Sequence, residues 1–125
     1  MTIGLALYNF FSSFGLLAYH ETSVPTDQDA PDFPYLTYGT VFDDFASEAP
    51  ISASVWYRGE SWAEPNAKAQ QIGKAIGKGG VMLPCDGGAL WLKKGNPFAQ
   101  PMGDNNDDKI KRILFNLTVE FLTVD

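Results

Sequence analysis

Two periodicities alternate along the chain. Ile3, Leu7, Phe10, Phe11, Phe14 and Leu17 recur at helical spacing and predict a first helix with one apolar stripe, weakened or ended at Gly15. The following stretch, HETSVPTDQDAPDFP, has three prolines, four acids and no period, which predicts a long surface loop of the kind that often serves function or a partner. YLTYGTV and ISASVWYRG are rich in β-branched and aromatic residues, and in the second Ile51, Ala53, Val55 and Tyr57 alternate with Ser52, Ser54, Trp56 and Arg58. They predict two strands. The acidic, turn-like FDDFASEAP between them suits an antiparallel hairpin with a long tip.

Ser61 opens a second helix: Glu64 stands three residues later as in a capping box, and Pro65 falls in the tolerant first turn. Ala63, Ala67, Ile72 and Ile76 form its apolar stripe, and Gly77 ends it. VMLPC and ALWLKK then flank Asp86-Gly87-Gly88, a hairpin signal because glycine accepts positive φ. GNPFAQPMGDNNDD reads as a second irregular stretch. From 112 to 121, Ile113, Phe115, Leu117, Val119 and Phe121 point one way and Arg112, Asn116, Thr118 and Glu120 the other, the clearest strand in the chain. The order of elements predicts one α+β domain over residues 1–125, with a mostly antiparallel or mixed sheet and two main helices packed on one face. There is no internal repeat.

Composition bounds the partners. The 125 residues suffice for a single core, with 45% hydrophobic and 19% charged residues. Nine Lys and Arg against fifteen Asp and Glu give a net charge of −6, which argues against attraction to a nucleic-acid backbone. The charge is uneven: no Lys or Arg precedes Arg58, while Glu21, Asp27, Asp29, Asp32, Asp43, Asp44 and Glu48 all do. Such a distribution either solvates one face or lets copies stack head to tail. The lone Cys85 excludes an internal disulfide and a thiolate metal site, and suits a reducing compartment. The apolar start MTIGLALYNFFSSFGLLAY lacks a basic leader region and is interrupted by Asn9, Ser12 and Ser13, so neither a signal peptide nor a membrane span is expected.

Candidate chemistry is thin. KAIGKGGVML, residues 74–83, resembles a phosphate loop at first sight, but Gly73 and Gly77 enclose three residues where a Walker loop has four, and Gly79 follows Lys78. The cluster also falls at a helix C-terminus, whose dipole repels anions, so it reads as a helix stop with Lys74 and Lys78 complementing the negative end. DNNDD, residues 104–108, lacks the Gly and Glu of a calcium loop and reads as a solvated turn. Cys85 and His20 have no orienting third group, and Asp43-Asp44 reads as surface charge rather than a catalytic pair. No catalytic residue, cofactor or metal is assigned. Trp56, Tyr57, Trp62, Trp91 and Phe98 are the aromatics that either pack the core or supply an interface.

The ordered set VWYR, SWAE, IGKGG, DGG, LWLKKGNPFAQ, an acidic stretch and a final IKR, preceded by LYNFFSSFG and PYLTYG, covers nearly the whole chain. In this order the motifs resemble the tail terminator family, also labelled minor capsid proteins, of long-tailed phages and prophages of Gram-positive bacteria. The resemblance implies a small α+β subunit that forms a ring with itself, typically a hexamer, at the head-proximal end of the tail tube. Its implied partners are the major tail tube protein and a head–tail connector or head completion protein. DNA passes through such a ring without sequence-specific contact, and no membrane is involved. The implied location is the virion, after assembly in the host cytoplasm. No catalytic residues follow from it. The interface candidates are Trp62 to Glu64, the turn from Lys93 and Lys94 to Phe98, and the acidic loop with Asp104, Asp107 and Asp108. A capsid-side connector and a small ligand-binding or regulatory module are the competing readings.

Overall fold

The computed structural model describes residues 1–39 and 48–123. Helix α1 (Ile3–Ser12) begins where the Thr2 hydroxyl accepts the Leu5 amide at 3.1 Å, satisfying one of the amides a helix start leaves unpaired. Its buried residues include Ala6, Leu7 and Phe11, with Phe14 just beyond its end. The helix stops before Leu17. Gly15 takes φ +82°, and the chain turns into strand β1 (Leu17–His20), where Leu17 is 63% exposed. The expected helical stripe is therefore shorter than its spacing suggests, and a strand replaces its last member.

The acidic loop holds one short 3-10 turn at Asp27–Asp29 and leads to β2 (Tyr35–Tyr38). The hairpin from β2 to β3 (Ala49–Arg58) is antiparallel as expected; residues 40–47, with the Asp43-Asp44 pair, lie outside the described residues. Helix α2 (Ala63–Ile76) follows, then β4 (Val81–Cys85), β5 (Gly88–Gly103) and β6 (Ile110–Thr123). The sheet order is β1-β2-β3-β6-β5-β4, with β1 and β2 parallel and every other pair antiparallel. This is the α+β class anticipated, with one strand more.

Three local expectations are corrected. First, α2 buries Pro65, Ile72, Gly73 and Ile76, with Ala69 half-buried, while Ala63 and Ala67 face solvent. Alanine is small enough to sit on either face, so the stripe is fixed by Pro65 and the two isoleucines. Second, Ser61 does accept a helix-start amide, from Ala63 at 3.0 Å, but Trp62 occupies the cap position itself. Third, GNPFAQPMG is not irregular: it continues β5, with a bulge between Lys94 and Ala99. Pairing with β4 ends at Val81 opposite Leu92, so β5 has one free edge beyond it, where a proline's missing N–H costs no ladder bond.

Register places Ile51, Ala53 and Val55 opposite Leu117, Phe115 and Ile113, and all six are buried on one face. That face carries both helices. Phe11 of α1 stacks on Tyr38 at 4.9 Å between ring centroids, and Ile72 and Ile76 of α2 join the same core. Because α1 packs against both edge strands, β1 and β4, the sheet curls around it. Lys68 of α2 donates to the Phe14 carbonyl at 2.6 Å, which ties α2 to the turn that follows α1.

Candidate functional site

An open groove of about 510 Å³ lies between the second half of α2 and the β5 bulge, and its walls include Gly73, Lys74, Lys78, Lys94 and Phe98. Gly73 explains how helix and bulge come so close: a Cβ there would stand 3.3 Å from the Phe98 ring. Phe98 turns inward at the bulge and packs on Phe115 at 5.3 Å, so the groove floor is continuous with the core. Lys94 holds its ammonium 5.0 Å from the Phe98 ring centroid. No acidic side chain lines the groove among the described residues.

The KAIGKGG stretch forms the end of this groove. Gly77 closes α2 at φ +76° and ψ 174°, its amide bonding to the Gly73 carbonyl at 2.9 Å, and β4 starts four residues later at Val81. Trp91 donates its indole N–H to the Gly79 carbonyl at 2.7 Å and so fixes the turn. The helix-stop reading holds. Yet Lys74 and Lys78 do more than follow a helix end, since both face the same groove as Lys94. Two spacings of four in the sequence carry that signal: Gly73 with Gly77, and beside them Lys74 with Lys78.

The sequence-derived interface candidates do not converge on one site. Lys94 and Phe98 belong to the groove. Lys93 points to the other face of β5, pairs with Glu48 and Glu120, and lies 4.2 Å from the Trp91 ring centroid. Trp62 is half-buried against the core. Glu64 lines a separate hollow at the start of α2 with Tyr57 and Arg58. Burial raises the Tyr57 pKa above its usual value, and the Glu64 charge raises it further. Asp104, Asp107 and Asp108 occupy the turn from β5 to β6. There the Asp104 carboxylate accepts the Asn106 amide at 2.7 Å, and Asp107 accepts the Lys109 amide at 3.0 Å and Arg58 Nε at 3.2 Å. These acids shape their own loop.

Of the two pairs weighed as chemistry, Asp43-Asp44 lies outside the described residues, and Cys85 and His20 are kept apart. Cys85 and His20 lie on opposite edge strands, and His20 Nδ1 sits 2.7 Å from the Thr22 hydroxyl. Among the described residues no three His, Cys, Asp or Glu side chains gather as a metal would require. No described helix is long and apolar enough to cross a membrane.

The sheet face turned away from the helices carries a second feature. Register aligns Leu17, Tyr35, Trp56, Arg112 and Met102 in one row across five strands. Tyr35 stacks on Trp56 at 6.1 Å, the Arg112 guanidinium lies 4.7 Å from the Trp56 ring, and Trp56 donates to the Thr37 hydroxyl at 2.9 Å. The row packs against itself, which leaves only its ends, Leu17 and Met102, exposed. Compared with protein-family models and with curated proteins, the chain finds no match.

Proposed function

We propose that the chain is a non-enzymatic virion protein of a long-tailed phage, which forms a ring at the head-proximal end of the tail tube. The ring, hexameric as the resemblance implies, ends tube polymerisation and offers a joining surface to the head completion protein. The structural observation that carries this reading is the outer side of α1. Leu5 and Tyr8 are 47% and 45% exposed, on a helix whose other side is packed into the core. On the outer side, which they share with exposed Gly4 and Asn9, the two large apolar side chains stand one turn apart and offer a small patch that a neighbouring body would cover. A net charge of −6 per subunit also suits a channel through which DNA slides without being held.

Negative-stain microscopy and light scattering of the purified protein, with and without tail tubes, test the proposal. Rings that cap one tube end are the expected result. The double variant Leu5→Asp, Tyr8→Asp should fold, as shown by an unchanged circular dichroism spectrum, and lose capping. Rings that bind heads and ignore tubes would place the protein on the capsid side. Micromolar calorimetric binding of a nucleotide or divalent cation by a monomer would favour a ligand-binding module.

A further inference from the structure

The nine cationic side chains divide into two groups once their partners are traced. Arg58, Lys93 and Lys109 are held by Asp107, by Glu48 and Glu120, and by Glu60. Lys68 donates to Phe14, Lys111 to Gly59 and Asp108, and Arg112 to Ser54. Lys74, Lys78 and Lys94 have no hydrogen bond or ion pair among the described residues. All three line the same groove. Like charges gathered over an apolar floor repel one another, weakly because all three are exposed to water, and together they favour an anionic partner.

A matching set lies on the long loop between β1 and β2. Asp27, Asp29 and Asp32 are exposed and have no ion pair among the described residues, and between the last two stand Ala30 and Pro31. Three carboxylates around a small apolar centre complement three ammoniums around a floor of Phe98, Ala69 and Ala99. Within the subunit the two sets do not meet. We propose that the groove receives the Asp27–Asp32 loop of a second copy of the chain.

The contact joins different surfaces of the two copies, so it is head-to-tail, the kind that closes into a ring when the rotation between subunits permits. It thus rests on the ring reading and names the joint between neighbours. Ion pairs at a surface are individually weak, so the joint depends on several of them and on the apolar floor, and it loosens with salt.

Charge swapping of the full-length protein tests the joint, with mass measured by light scattering and analytical ultracentrifugation. One variant carries Lys74→Glu, Lys78→Glu and Lys94→Glu; the other carries Asp27→Lys, Asp29→Lys and Asp32→Lys. Each alone should associate more weakly by roughly tenfold or more. Mixed in equal amounts they should assemble again, because the loop of each suits the groove of the other. Recovery on mixing is a result that misfolding of either variant does not produce. If wild type forms rings and the lysine variant forms them equally well, the joint is wrong and the ring stands. If wild type is monomeric with and without tail tubes, both fall. If wild-type monomer binds inorganic phosphate or ATP and the lysine variant does not, the groove takes a small anion and the joint is likewise overturned.

Discussion

The ammonium of Lys111 donates to the carbonyl oxygen of Gly59 at 2.8 Å, tying the first residues of β6 to the turn that leads from β3 into α2. A second bond, 2.9 Å to the Asp108 carbonyl, fixes the turn before β6, and the Trp62 ring lies 5.7 Å from the same ammonium. Lys111 is only 7% exposed, its stem lying at the rim of the core opposite Tyr57. Lys111→Met keeps the stem and removes the donors. The variant should lose about 1–3 kcal/mol of stability, the cost of leaving buried acceptors unpaired. Urea denaturation measures it, and an unchanged midpoint would mean that water already serves both carbonyls.

Lys111 also marks where sequence reading succeeds and where it stops. The alternation from Ile113 to Val119 was legible because one face is buried against two helices and the other is not. Strand β1 was not, since four residues cannot establish a period and its parallel partner lies well down the chain. Pro97 and Pro101 hid the second half of β5, because the free edge that tolerates them belongs to the tertiary structure. The groove was half visible: Lys94 and Phe98 came from the turn beyond the hairpin, whereas Lys74 and Lys78 already had a sufficient role at the helix end. That they share a groove with Lys94, with no acid in its lining among the described residues, is a property of the tertiary structure.

Two glycines should respond differently to alanine. At Gly77, with φ +76° and ψ 174°, a Cβ meets no neighbour within 4 Å, so the cost is backbone strain alone, roughly 1–3 kcal/mol. At Gly88 a Cβ would fall 1.9 Å from the Leu122 carbonyl oxygen, so β5 and β6 have to part at their paired ends. Gly88→Ala should therefore be the more damaging, at about 3 kcal/mol or more. Gly77→Val should destabilise further than Gly77→Ala. Denaturation midpoints in the reverse order for the two alanine variants would contradict the steric account.

The Asp107 carboxyl is held below its ordinary value of 3.8, first by the Lys109 amide it accepts and then by the Arg58 guanidinium. A carboxyl whose pKa is lower folded than unfolded contributes stability that is present above the unfolded value and lost as pH falls through the folded one. Asp107→Asn retains an oxygen for the Lys109 amide and removes the charge. The variant should be less stable than wild type near neutral pH, and the gap should close as pH drops below about 4. Urea midpoints across that range give the comparison; a constant gap would assign the effect to hydrogen bonding alone.

Cys85 is half-buried in edge strand β4, and its thiol is raised above the ordinary 9.0, first by burial and then by the neighbouring Asp86 charge. A thiol of pKa 9.0 is only about 3% thiolate at pH 7.5, and Cys85 holds less, so iodoacetamide should modify it more slowly than it modifies free cysteine. The rate should climb with pH without a plateau below 9. Asp86 also pairs with the N-terminal ammonium, whose positive charge favours the thiolate. Asp86→Asn removes the opposing charge and leaves the ammonium unneutralised, so both changes act to speed alkylation. A rate for wild type at pH 7.5 matching that of free cysteine would show that β4 opens at its edge often enough to hydrate the sulfur.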